Sequence, residues 1–134
     1  EISPPSPLGK NMLCAFLVGG AICTVGQLFS NWYTSMDIGK DAASTATSVT
    51  MIFLGALLTA LNLYDNIAKF GGAGTIIPIS GFANSIVSPA MEFKSEGLVL
   101  GLAAKMFVVA GPVLVYGILT SSVYGLILYL VERL

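Results

Sequence analysis

Four stretches of this sequence, residues 11–36, 42–64, 70–91 and 106–131, contain no charged side chain. A helix needs roughly 20 apolar residues to cross about 30 Å of hydrocarbon, and each stretch is long enough. The stretches are unequal in composition. The first, second and fourth are dense in Leu, Ile, Val, Phe and Ala, and they predict three transmembrane helices over residues 12–33, 44–64 and 112–131. The third carries Gly71, Gly72, Gly74, Gly81, Pro78 and Pro89 together with Ser80, Asn84, Ser85 and Ser88. It predicts a Gly/Pro-broken or re-entrant helical segment within residues 66–97. The expected fold class is therefore an all-α integral membrane protein. A single helical domain over residues 12–134 follows an extended Pro/Ser-rich segment at 1–11.

Composition narrows the function. Of 134 residues only 10% are charged and 55% are hydrophobic, with a net charge of −1. A soluble domain carries about 25% charged residues, so a water-facing shell cannot be built from this chain. No basic patch exists to neutralise phosphates, which excludes a nucleic-acid partner. Histidine is absent, and with it the usual zinc ligand and the commonest general base. Serine chemistry would lack an activating base. Tyr64-Asp65 matches half of an intramembrane aspartyl protease site, but no second Asp follows in a Gly-rich partner motif. Gly72-Ala73-Gly74 lacks the third glycine of a dinucleotide loop and the Lys-Ser/Thr of a phosphate loop. No catalytic residue, metal site or cofactor is expected.

The chain opens Glu1-Ile2-Ser3-Pro4-Pro5-Ser6-Pro7 without Met, so a missing or processed native start is expected. Each Pro biases its predecessor away from helix. The first apolar run exceeds the 7–15 residues typical of a signal-peptide core, which predicts a retained span. It closes on Asn31-Trp32-Tyr33, an aromatic anchor of the kind found at membrane interfaces. Gly19, Gly20 and Gly26 offer small faces for helix packing. Cys14 and Cys23 share this helix at about 13.5 Å of rise and on opposite faces. A disulfide needs Cα atoms within about 7 Å, so the two cannot pair and are expected to be packing residues. Gln27 is the strongly polar side chain of this span, and Asn62 lies near the end of the next.

Within residues 70–85 a continuous helix is disfavoured, since each interior Gly costs about 1 kcal/mol and Pro about 3. Non-helical backbone at membrane depth survives only where protein covers it or where it lines a watery cavity. Ser80 is the expected N-cap of a helix over residues 81–95, which Pro89 would kink and Gly97 would stop. Free N–H groups at Gly81, Phe82 and Ala83 would then offer partial positive charge to an anion. Discontinuous helices of this kind build the substrate sites of many transporters. The competing reading is a Gly-rich packing surface with no solute contact. On the first reading Gly71, Gly72, Gly74, Thr75, Pro78, Ser80, Gly81, Asn84 and Ser85 line the pathway.

Asp65 and Lys69 are spaced as a favourable helical pair. Glu92 and Glu96 share a face and belong at an interface. Lys105 would cost about 2.5–3.5 kcal/mol at the bilayer centre, and its long stem predicts snorkelling. Residues 98–131 would run about 51 Å as one helix, too long for one crossing. Gly111-Pro112 is the expected break, leaving a short helix at 98–110 before the span at 112–131. Gly117, Ser121 and Gly125 form a small-residue ladder on that span. The six basic residues scatter along the chain, so the positive-inside rule assigns no orientation.

The run Ala15-Phe16-Leu17-Val18-Gly19-Gly20-Ala21-Ile22-Cys23-Thr24-Val25-Gly26-Gln27 resembles the opening span of the SpoVA membrane proteins of spore-forming bacteria. Gly72-Ala73-Gly74-Thr75-Ile76-Ile77-Pro78-Ile79-Ser80-Gly81-Phe82-Ala83-Asn84-Ser85 resembles that family's central motif. Met91-Glu92-Phe93-Lys94-Ser95-Glu96-Gly97-Leu98-Val99-Leu100-Gly101 points within it to the AC branch over the AE branch. The resemblance covers residues 12–131; it departs at Gly71, where Ala is expected, and in the lead-in, which is less basic than the family's. It implies a channel or transport subunit for dipicolinic acid, with calcium, across the spore inner membrane. Uptake in sporulation, release in germination and, in the AC branch, gating by membrane tension are implied with it. So are other SpoVA-family proteins as partners, in a homo- or hetero-oligomer within the lipid membrane. On that basis the helix start at residue 81 would suit the dipicolinate carboxylates. Backbone carbonyls, or else Asp65 and Glu92, would meet calcium, with Gln27, Asn62 and Lys105 as further polar contacts. The alternative is a non-conducting structural subunit that organises a multi-protein membrane complex.

Overall fold

A computed structural model describes residues 7–133. Among the described residues every regular element is helical, as the sequence predicts. Of the expected extended lead-in, residues 1–6 lie outside the described residues, and Leu8 already opens the first helix. The chain forms two compact units, divided between Ser88 and Pro89. Among the described residues three helices are long and apolar enough to cross a membrane: Leu8–Ser35, Lys40–Ala60 and Leu98–Arg133.

In the first unit, α1 (Leu8–Ser35) and α2 (Lys40–Ala60) run antiparallel. The Tyr33 hydroxyl lies 2.9 Å from Thr50 Oγ1 near one end of their contact, and Gly26 sits beside the Met51 side chain farther along. A turn through Asp37, at φ 57°, and Gly39, at φ 83°, reverses the chain. Cys14 and Cys23 are both free.

Helix α2 stops at Ala60, so Tyr64 belongs to the next element. The stop has a local cause. Asn62 adopts φ 57°, its N–H donates to the Thr59 carbonyl at 2.9 Å, and the Leu63 N–H donates to the Leu58 carbonyl at 2.9 Å. This is a Schellman ending, for which Asn is second only to Gly. Asn62 therefore acts through its backbone. Asn62→Gly should leave thermal stability in detergent unchanged, while Asn62→Val should lose about 1–2 kcal/mol by forcing a β-branched residue into left-handed geometry.

The interrupted segment follows as α3 (Tyr64–Gly71), α4 (Ala73–Ile76) and α5 (Ile79–Glu92). Helices α3 and α4 pack on α1. Helix α5 begins before residue 81 and ends before residue 95, because a 3-10 turn at Lys94–Glu96 and Gly97 at φ 106° take over.

Large side chains face outward almost everywhere: Phe16 is 77% exposed and Phe53 is 63% exposed. The buried apolar residues of the first unit are Ala43, Met51, Tyr64 and Ala83. Apart from Met51 and Tyr64 the buried residues are small, and such an interior under an apolar exterior inverts the soluble pattern and suits a chain whose solvent is hydrocarbon.

The second unit holds the end of α5, a π-helical turn at Leu98–Ala103, and α6 (Ala104–Arg133). The break expected at Gly111-Pro112 is not there, and α6 continues through Pro112. Proline removes one backbone bond, whereas breaking the helix in lipid would leave several polar groups unpaired. The expected short helix at 98–110 is accordingly merged into one 36-residue helical stretch. The Lys105 ammonium lies 3.9 Å from the centre of the Phe93 ring, a cation–π contact worth about 0.5–2 kcal/mol. A Cβ at Gly101 would overlap the Phe93 carbonyl, so this close turn requires glycine.

Candidate functional site

The motif residues gather where α3, α4 and the start of α5 meet α1 and α2. Gly72 ends α3 at φ 47° and ψ −123°, a backbone conformation closed to residues with a Cβ. This turn breaks the helix and directs α4 onto α1. There Gly74 meets α1 backbone to backbone: a Cβ on Gly74 would overlap the Ala15 carbonyl, and one on Gly19 would lie 3.2 Å from the Gly74 oxygen. Ala15 and Gly19 are one turn apart, a small-xxx-small pair on α1. Gly71 packs as closely, with Val18 Cγ1 at 2.7 Å from where its Cβ would be.

Polar side chains then tie the segment down. Tyr64 is 3% exposed, and its hydroxyl donates to the Thr75 carbonyl at 2.8 Å and lies 3.2 Å from Ser80 Oγ. Thr75, 1% exposed, donates to the Gly72 carbonyl at 2.8 Å. On the α2 side, a Cβ at Gly55 would come within 2.7 Å of the Ser80 carbonyl. One turn later Thr59 Oγ1 lies 2.7 Å from the Gly55 carbonyl and 2.8 Å from Asn84 Oδ1. That hydroxyl has a single proton, which the Gly55 carbonyl takes in the shorter contact. Both contacts are satisfied when the Asn84 carboxamide turns its NH2 toward Thr59, an equivalent placement of the amide.

Ser80 therefore bonds sideways to Tyr64 instead of capping a helix. The Gly81 and Phe82 N–H groups are not free either, because both donate to the Pro78 carbonyl, at 2.8 and 3.4 Å. Placing the helix start at Ile79 makes that carbonyl the acceptor for its first turn, which removes the anion-binding donors expected at 81 and 82. Gly81 is held against the Thr75 and Ile76 carbonyls. Among the described residues no buried polar side-chain atom lacks a partner.

Among the described residues, the remaining expected contacts of the first unit take no part in these hydrogen bonds. Ser85 is exposed and donates to the Phe82 carbonyl at 2.8 Å. Gln27 is exposed on α1 and donates to Asn31 Oδ1 at 2.8 Å. Asp65 is exposed in the first turn of α3. Glu92 and Lys105 belong to the second unit. No group of three or more His, Cys, Asp or Glu among the described residues is placed to hold a metal ion. The sequence reading missed Tyr64, Thr59 and Gly55 as organisers of the segment. Among the described residues, two of the cavities open on the first unit. One, of about 410 Å3, is apolar and is walled by Val18, Ile22, Met51 and Gly55, with Tyr64 and Ser80 beside it. The other, of about 380 Å3, lies between the start of α1 and the end of α3.

No solved structure matches the chain. Stage V sporulation protein AC of Bacillus subtilis (strain 168) is 46% identical over 132 residues, covering 98% of this chain and 88% of that protein. A family model described as SpoVAC/SpoVAEB sporulation membrane protein matches residues 11–127, through α1, the tightly packed glycines of the interrupted segment and most of α6. This integral membrane protein belongs to the SpoVAC/SpoVAEB family of sporulation membrane proteins.

Proposed function

We propose that the chain is a channel or transport subunit that moves dipicolinic acid, with calcium, across the spore inner membrane. The observation that carries this reading is the helix interruption at Gly72, which sets three short helices against a membrane-spanning pair. Interrupted helices are costly in lipid and are characteristic of solute pathways. The pathway would run along the segment from Gly71 to Ser85, and calcium would travel as cargo. Because Thr75, Ser80 and Asn84 bond within the bundle, conduction would require α4 and α5 to shift on α1 and α2. Membrane tension is a suitable drive for such a shift, and other SpoVA-family proteins or further copies of this chain would complete the walls.

Purified protein reconstituted alone into liposomes loaded with dipicolinate provides the test. Osmotic downshift should release the solute, and replacing Asn84 and Ser85 together by Ala should alter the flux. Tight vesicles would instead assign the chain a structural role in a complex whose pore its partners form. Unchanged flux in the double variant would remove Asn84 and Ser85 from the pathway.

A further inference from the structure

The smaller cavity of the first unit differs from its neighbour in chemistry and position. Its walls include Leu8, Met12 and Phe70, and its polar side chains are Asn11 and Lys69. Leu8 is 70% exposed, Met12 is 64% exposed and Phe70 is 77% exposed, so the apolar walls continue into the outer surface of α1 and α3. Leu8, Asn11 and Met12 occupy the first turns of a membrane-spanning helix, and Lys69 sits in the last turn of α3. Such a place is at headgroup depth, where a basic side chain attracts anionic lipid. Among the described residues no acidic side chain lines the cavity.

We propose that this cavity holds one anionic phospholipid. Its phosphodiester meets the Lys69 ammonium and the Asn11 carboxamide, and its acyl chains lie along Leu8, Met12 and Phe70. Charge selects this occupant. One lysine balances the single negative charge of a phosphodiester, whereas a small soluble dianion would keep an unbalanced charge and leave the exposed apolar walls uncovered. Asp65 precedes Lys69 by one helical turn on α3 and competes for the same ammonium. The proposal rests on this geometry alone and is independent of the transport reading.

Native mass spectrometry of the full chain in detergent, titrated with phosphatidylglycerol or phosphatidylcholine of matched chains, tests it. One phosphatidylglycerol should be retained with a preference of about fivefold, the ratio one basic residue contributes near a membrane surface. Lys69→Gln should bring the two lipids to parity, and Lys69→Arg should keep the preference. Asp65→Asn should strengthen it. Lys40→Gln, at the start of α2, should leave it unchanged. Equal binding of both lipids by the parent chain, or a preference that survives Lys69→Gln, would overturn the proposal. Displacement of phosphatidylglycerol by millimolar free pyridine dicarboxylate would also overturn it, assigning the site to a soluble anion.

Discussion

Gly74→Ala is expected to destabilise the protein strongly, because it sets a methyl group against the backbone of a spanning helix. The added Cβ overlaps the Ala15 carbonyl and lies 2.9 Å from the Ala15 Cα. Both obstacles are backbone atoms of a long helix, so no side-chain rotation relieves them. Overpacking costs about 1–3 kcal/mol where neighbours can adjust, and here the upper end is expected because α1 and α4 must move apart. The readout is the melting temperature and monodispersity of the detergent-solubilised chain. Ala15→Gly should not rescue the variant, since the clash is with a carbonyl and not with a methyl group. Gly20→Ala, one residue along α1 from Gly19 and with nothing within 4 Å, should behave as the parent. A Gly74→Ala protein as stable as the parent would show that α4 does not lie against α1 in this way.

The contrast between Gly74 and Gly20 also marks what could be read from sequence. Spans and interruption were legible because they follow from one-dimensional quantities: apolar run length, and the backbone cost of Gly and Pro. Which glycine is packed was not. Gly19, Gly20 and Gly26 look alike in the sequence, yet only Gly19 meets a neighbouring backbone. The expected break at Gly111-Pro112 failed for a related reason. Proline penalties measured in water overstate the tendency to break where no solvent can take up the freed backbone groups. Asn62 carried a readable signal, since Asn tolerates left-handed geometry, but its polar side chain drew attention away from its backbone.

The candidate site was legible as a segment and not as a network. Ser80 has the identity of an N-cap, and nothing local distinguishes capping from a sideways bond to Tyr64, which lies 16 positions earlier. Thr59 and Asn84 are 25 positions apart. Such pairings depend on how helices cross, which periodicity does not encode. The free donors expected at Gly81 and Phe82 were lost because the helix starts two residues sooner, with Pro78 supplying the acceptor.

Tyr64→Phe should expose how far that network holds the segment. The substitution keeps the ring, which is buried at 3% exposure, and removes only the hydroxyl. Its loss strands the Thr75 carbonyl and deprives Ser80 of a partner, at about 1–3 kcal/mol for buried polar groups left unpaired. Ser80→Ala should cost less, about 1 kcal/mol, because Tyr64 retains its 2.8 Å bond to Thr75. Combining the two should cost less than their sum, since the second change finds its partner already gone. Melting curves in one detergent supply all three values. Strict additivity would mean that Tyr64 and Ser80 do not interact, leaving the bond to Thr75 as the only polar tie from Tyr64 to the segment. Sub-additivity would instead make the Tyr64 hydroxyl a shared joint between the end of α4 and the start of α5.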